Sequence, residues 1–265
     1  MTIEKISSRE NKRLKEAKRV RDGQADDLMF VEGVRLAEEA ISSSVKVREG
    51  FVTSRFVESE RGSAILKAMS GAPLFELTES VLDSINDTKS SQGVILICER
   101  PARPDFDSFP RPGKLPVVVF MAEANNPSNL GAVVRVAEAA GASGLITSRN
   151  SADVYSPRAL RASMGSAFRL PIIQGENHVE LFEWSRRKGM KITAAAGEGI
   201  STYSEIDWKL PRLLVFGSEA HGLNDEQLRL VDETMRVPME NPVESLNLSV
   251  AAGIILFEAR KQFYL

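Results

Sequence analysis

The sequence runs to 265 residues, 43% of them hydrophobic and 26% charged, with a formal net charge of −2. That balance describes a globular chain long enough for two cores and excludes a disordered one. The single cysteine, Cys98, excludes an intramolecular disulfide, and two distant histidines, His178 and His221, offer no zinc cluster, so no metal is expected. There is no apolar run of about eighteen residues to cross a membrane, and residues 1–21 lack the apolar core of a secretion signal. A cytoplasmic location is expected.

Along the chain, residues 1–21 carry eight Lys or Arg, among them Lys12, Arg13 and Arg19, against Glu4, Glu10 and Glu16. Such a surplus can meet phosphates, or it can be a solvated helix laced with i,i+4 ion pairs. Helices are predicted over 8–21, 34–43, 58–70 and 78–86, and strands over 27–33, 47–54 and 92–99. Residues 1–100 therefore read as a small α/β domain. Pro101, Pro104, Pro110 and Pro112 make 101–115 a semi-rigid linker.

Residues 116–265 alternate more clearly. Strands are predicted at 115–124, 144–148, 170–173, 190–196, 212–217 and 235–239. Helices are predicted at 129–140 (closed by Gly141), from Ser156-Pro157 onward, at 177–188, from Asn224, and at 245–262 with Ser245 as N-cap. This pattern implies a parallel sheet covered on both faces, with its ligand outside the carboxyl ends of the strands.

Three loops after those ends carry residues that packing alone does not require. The first, Asn125 to Gly131, opens a helix, which accounts for Asn126, Pro127 and Ser128. Six residues beyond Asn129 comes Arg135, among Val133, Val134, Val136 and Ala137. A guanidinium there must snorkel or meet an anion. The second loop, Phe216 to Leu223, sets Gly217 and Gly222 around Glu219 and His221, so the backbone can turn tightly beside a ligand. His221 reads either as a general base or as a partly exposed loop histidine. The third loop, Val237 to Asn247, holds Met239, Asn241, Ser245 and Leu246 ahead of a helix start whose N–H groups could meet a ligand.

NNPSNLGAVVRVAEAAG, LLVFGSEAHGL and VPMENPVESLNLSVAAG together resemble the three motifs of the SpoU (TrmH-type) branch of the SPOUT RNA methyltransferases. The resemblance covers about 116–265 and includes the stretch from Ser156 to Ser166. SSRENKRLKEAKRVR, FVEGVRLAEEA and SSQGVILI resemble, more loosely, a ribosomal-protein-like RNA-binding domain. Membership implies an α/β SPOUT domain with a deep trefoil knot, an exception to the usual absence of knots. It also implies a homodimer through that domain, S-adenosyl-L-methionine as cofactor, and methylation of a ribose 2′-hydroxyl, in ribosomal rather than transfer RNA. Carried over residue by residue, it assigns catalysis to Asn129, Arg135, Glu219, Ser245 and Asn247. The cofactor falls to Gly217, Glu219, Gly222, Val237, Met239 and Leu246, with Ala194 as an outlying candidate. Arg158, Arg161 and Arg169 join the N-terminal cations as RNA contacts. A final helix bearing Leu246, Val250, Ile254 and Phe257 suits a dimer face and core packing alike. Two rivals are a non-catalytic RNA-binding protein and a dinucleotide enzyme built on Ala196-Gly197-Glu198-Gly199. The latter lacks its third glycine and the helix that should follow.

Overall fold

The computed structural model describes residues 3–69, 71–240 and 242–265. Ser70, at the end of a predicted helix, and Asn241, in the third loop, lie outside the described residues. In chain order the elements begin with β1 (Glu4–Ile6), α1 (Lys12–Arg21), β2 (Leu28–Glu32), α2 (Val34–Ser42) and β3 (Val47–Thr53). Then come α3 (Ser54–Val57), α4 (Glu60–Ala68), β4 (Leu74–Leu77), α5 (Glu79–Leu82) and β5 (Val94–Glu99). Next are β6 (Leu115–Met121), α6 (Pro127–Ala140), β7 (Ala142–Ser148), α7 (Pro157–Ser163), β8 (Ile172–Glu176) and α8 (His178–Arg187). The chain ends with β9 (Lys191–Ala195), β10 (Ser201–Thr202), β11 (Arg212–Phe216), α9 (Asp225–Leu230), β12 (Glu233–Arg236) and α10 (Leu248–Tyr264).

These elements form two compact units. The first comprises the chain up to Ala102 together with Tyr155–Phe168, and the second Arg103–Val154 with Arg169–Leu265. The first unit is a five-stranded mixed sheet ordered β1-β4-β3-β5-β2. Neither β1 nor β4 is among the expected strands, because three or four residues carry too little alternation to register in a sequence. Their apolar residues, Ile6, Phe75 and Leu77, nonetheless close a core with Leu14, Phe30, Phe51 and Ile95. Cys98 lies in β5 with its thiol buried and pushed up to about 12, so it is an inert core residue.

The second unit is a seven-stranded sheet ordered β10-β12-β9-β11-β6-β7-β8, parallel at every pairing. Its middle strands, such as VVVFM and RLLVF, are buried along their whole length because helices cover both faces. Two expectations change here. The proline-rich seam is packed rather than linker-like: Phe109 is buried against Gly144, where a Cβ would lie 2.3 Å from the ring. The segment 155–168, expected within the second domain, clusters with the first unit, since α7 packs on β2.

Candidate active site

Register sets the site's floor. Phe216 pairs with Met121 on β6 and with Ala195 on β9, and Ala195 pairs with Met235 on β12, so these strands end at one level. Beyond them opens a cavity of about 600 Å³. Asn129, residues 217–220 with Gly222, and Val237, Met239 and residues 244–247 line it, so residues from all three predicted loops meet in one place.

The turn after β11 closes on itself, with Ser218 and Gly222 exchanging backbone hydrogen bonds at 3.0 Å. Gly217 sits so tightly beneath it that a Cβ would lie 2.2 Å from the carbonyl carbon of Gly222. Only glycine lets the two backbone segments come that close. The turn brings Glu219 to the cavity edge, where its Oε1 accepts a hydrogen bond from Asn129 Nδ2 at 3.0 Å. Asn129 Oδ1 accepts in turn from Asn247 Nδ2 at 3.1 Å. Two opposite bonds fix the orientation of the Asn129 carboxamide.

Asn247, not Ser245, is the N-cap of α10. Its Oδ1 accepts from the Ser249 backbone N–H at 2.9 Å and from Ser249 Oγ at 2.7 Å. Both Ser245 and Asn247 are good cap types, and the choice between them follows from Asn247 reaching Asn129. Ser245 lines the cavity two residues before the cap.

Of the expected cofactor residues, Gly217, Glu219, Gly222, Val237, Met239 and Leu246 all line the cavity. Ala194 does not. It faces the buried core with Ile192 and Val215, while Ala195 and Ala196 border the opening. Alternation along a strand decides which face a residue occupies, so a position one residue early falls on the wrong side. Arg236 and Glu244 also line the cavity; Glu244 lies within the third motif without a role assigned to it, and Arg236 lies one residue before that motif. The Arg236 guanidinium is spent on the carbonyls of Gly199 and Ile200. The Ala196–Gly199 segment runs on to β10 instead of a helix, which disposes of the dinucleotide fingerprint.

Arg135 stands apart. It is exposed on α6, borders no part of this cavity, and makes no hydrogen bond or ion pair among the described residues. Six helical residues beyond Asn129 amount to about 9 Å and two-thirds of a turn around the axis. His221 is exposed at the tip of its turn and is likewise not part of the lining. Among the cations expected to contact RNA, Lys12 is exposed without a partner among the described residues. Arg13 is tied to Glu49 at 2.9 Å and lies over the Phe75 ring, and Arg19 pairs with Glu16. Arg158 is exposed on α7, Arg161 is ion-paired with Asp87, and Arg169 with Glu138. Among the described residues no His, Cys, Asp and Glu cluster could hold a metal, and no helix is long and apolar enough to cross a membrane.

Residues 116–257 match the SpoU rRNA Methylase family, and residues 5–96 the MRM3-like substrate binding domain. The 23S rRNA (uridine(2479)-2'-O)-methyltransferase of Streptomyces viridochromogenes is 30% identical over 250 residues, 92% of this chain and 85% of its own. The 23S rRNA (guanosine(2553)-2'-O)-methyltransferase RlmP of Bacillus subtilis is 25% identical over 97% of this chain and 100% of its own. The AdoMet-bound rRNA methyltransferase from Sinorhizobium meliloti superposes with a TM-score of 0.83 at 31% identity, covering 98% of each chain.

Proposed function

The chain belongs to the SpoU rRNA methylase family, and on that premise we propose that the cavity beyond β9, β11 and β12 is where it methylates a ribose 2′-hydroxyl of ribosomal RNA. It is an RNA 2′-O-methyltransferase, and S-adenosyl-L-methionine is its cofactor. The observation that carries the placement is the chain of hydrogen bonds from Glu219 through Asn129 to Asn247 at the mouth of one cavity.

The lining suits that cofactor. Close-packed backbone at Gly217 leaves peptide groups to face it, and Glu219 and Glu244 contribute negative charge toward a sulfonium. Arg236, the one cation in the lining among the described residues, is already occupied by carbonyls. Bound there, S-adenosyl-L-methionine supplies an electrophilic methyl group. The protein's own task is to hold the hydroxyl in line and to ease its proton away. Arg135 clamps the phosphate beside the target ribose, and the proton leaves through that phosphate. A guanidinium already carries its proton and is a poor base. Asn129 and Glu219 orient the ribose, while Ser245 and Asn247 shape the loop around the cofactor.

Arg135 does this from a second copy of the chain. In support, α10 exposes Val250 and Phe257, each at 49%, and α6 exposes Arg135 and Ala139. The two helices meet where Gly253 faces Val136. A self-complementary apolar face of this kind suits a twofold dimer. The path of the chain from β12, past β9 and β11, to α10 on α6 supports the knotted topology of the family. The first unit holds the RNA, with Lys12, Arg13, Arg19, Arg158 and Arg161 as candidate contacts, and the enzyme works in the cytoplasm.

The test is methyl transfer to ribosomal RNA. Arg135→Ala is expected to lose about a thousandfold in rate and His221→Ala less than about threefold, both with normal cofactor affinity. Mixing Arg135→Ala with Asn129→Ala should restore about a quarter of the activity, because half the dimers then hold one intact site. No restoration would refute action across the dimer, and an inactive His221→Ala would refute the assignment of roles.

A further inference from the structure

The first unit contains a cavity of its own, of about 550 Å³, bounded by the start of α2, the 88–92 loop and the end of α7. Its frame is ionic. Glu32, only 5% exposed, accepts hydrogen bonds from the backbone N–H groups of Asp87 at 3.0 Å and Thr88 at 3.3 Å, and from the Thr88 hydroxyl. Arg161 Nη1 lies 3.7 Å from the same carboxylate, and Nη2 binds Asp87. These contacts tie the loop to α7.

The groups left for a ligand are different ones. Gln92 Oε1 accepts from the Val34 N–H at 2.8 Å, standing in for the side-chain cap that Gly33 cannot supply. A carboxamide held by its oxygen turns its two N–H donors the other way, and these have no partner among the described residues. Leu36 and Met164 give apolar walls. Met164 is held in the left-handed region at φ 50°. The next residue, Gly165, packs so closely on Glu39 that a Cβ would lie 2.6 Å from it. A strained residue fixed this firmly has its position set by its neighbours. Arg35 and Lys89 are exposed on the lining without an ion-pair partner among the described residues.

Apolar walls, one oriented pair of donors and free cations match the chemistry of an unstacked nucleobase with its phosphates. We propose that this cavity receives a single unstacked base of the RNA and that Gln92 donates to a carbonyl oxygen on its edge, with Arg35 and Lys89 meeting the flanking phosphates. Because the Gln92 oxygen is already taken and cannot accept from an amino group, the site favours a base with a carbonyl acceptor, such as uracil, over adenine, whose acceptors are ring nitrogens beside its amino donor. The proposal rests on the reading of the chain as an RNA methyltransferase and adds base recognition within the first unit.

The experiment titrates the full-length protein with single-stranded U12 and A12 RNA and follows fluorescence anisotropy. Wild type should bind U12 about tenfold more tightly than A12, the size of one hydrogen-bonded contact. Gln92→Glu keeps the acceptor that Val34 needs and removes both donors. It should abolish or reverse the preference while leaving the melting temperature and S-adenosyl-L-methionine affinity unchanged. Lys89→Gln makes the same change of charge and should weaken both RNAs alike, since phosphate contacts carry no base preference. Equal binding of U12 and A12 by wild type, or an unchanged ratio in Gln92→Glu, would overturn the proposal while methyl transfer persists. Loss of the underlying reading would show separately, as absent methyl transfer by the wild-type enzyme.

Discussion

Gly217 shows how little freedom a single residue has at this site. Its absent side chain is what lets the 217–222 turn fold back over the end of β11. Gly217→Ala would place a methyl group against the Gly222 carbonyl and force the turn open. We expect cofactor affinity to fall by about a hundredfold or more in calorimetry, at a stability cost of about 1–3 kcal/mol. Arg13 illustrates a different constraint, an ion pair to a partly buried carboxylate. Burial pushes the Glu49 carboxyl above its usual range, and the bond from Arg13 pulls only partly against it. Arg13→Ala therefore raises the Glu49 pKa further. A raised folded-state pKa disfavours the ionised native form, so the loss of stability is greatest at neutral pH. It shrinks as pH falls through the Glu49 titration. Thermal melts of variant and wild type at pH 7 and pH 4 check this, and a difference independent of pH would count against it.

At the level of elements, α6 and α10 matter most. Their first turns bring Asn129 and Asn247 together at the cavity, while further along they present Arg135, Val250 and Phe257 to solvent. If that face meets a second copy, Phe257→Glu buries an unpaired charge at its centre. We expect the variant to sediment as a monomer and to lose methyl transfer, with its far-UV spectrum intact. A dimer that survives this change would place the interface elsewhere. The seam at 101–115 teaches a related lesson. Proline content marks an irregular segment correctly, yet it cannot show that Phe109 plugs the gap above Gly144. Composition speaks of backbone conformation and not of what a side chain finds to pack against.

For the whole molecule, the proposed function divides the labour between a large polyanion and a small cofactor. RNA binding releases counterions and should weaken steeply between about 50 and 200 mM salt. Cofactor binding, which meets a few fixed charges and releases no polyanion's counterions, should change much less over the same range. Parallel titrations of ribosomal RNA and S-adenosyl-L-methionine check this, and equal slopes would contradict the division. With a net charge of −2, the proposed reading draws the RNA response from exposed local cations such as Lys12, Arg35 and Lys89.

Much of this molecule is legible in its sequence alone. Buried parallel strands announce themselves as unbroken apolar runs, and loops rich in Gly, Asn and Pro mark where those strands end. The doubly covered sheet follows from these local signals, and the cavity-lining residues of the second and third loops, Gly217, Glu219, Gly222, Val237, Met239 and Leu246, from the family resemblance of the motifs there. Tertiary structure decided the remainder. It chose Asn247 over Ser245 as the cap, turned Ala194 into the core, tied Arg13 and Arg161 to carboxylates, and left Arg135 facing outward. Each outcome depends on how elements distant along the chain pack together, and a one-dimensional pattern does not encode which of several similar residues that packing will engage or leave exposed.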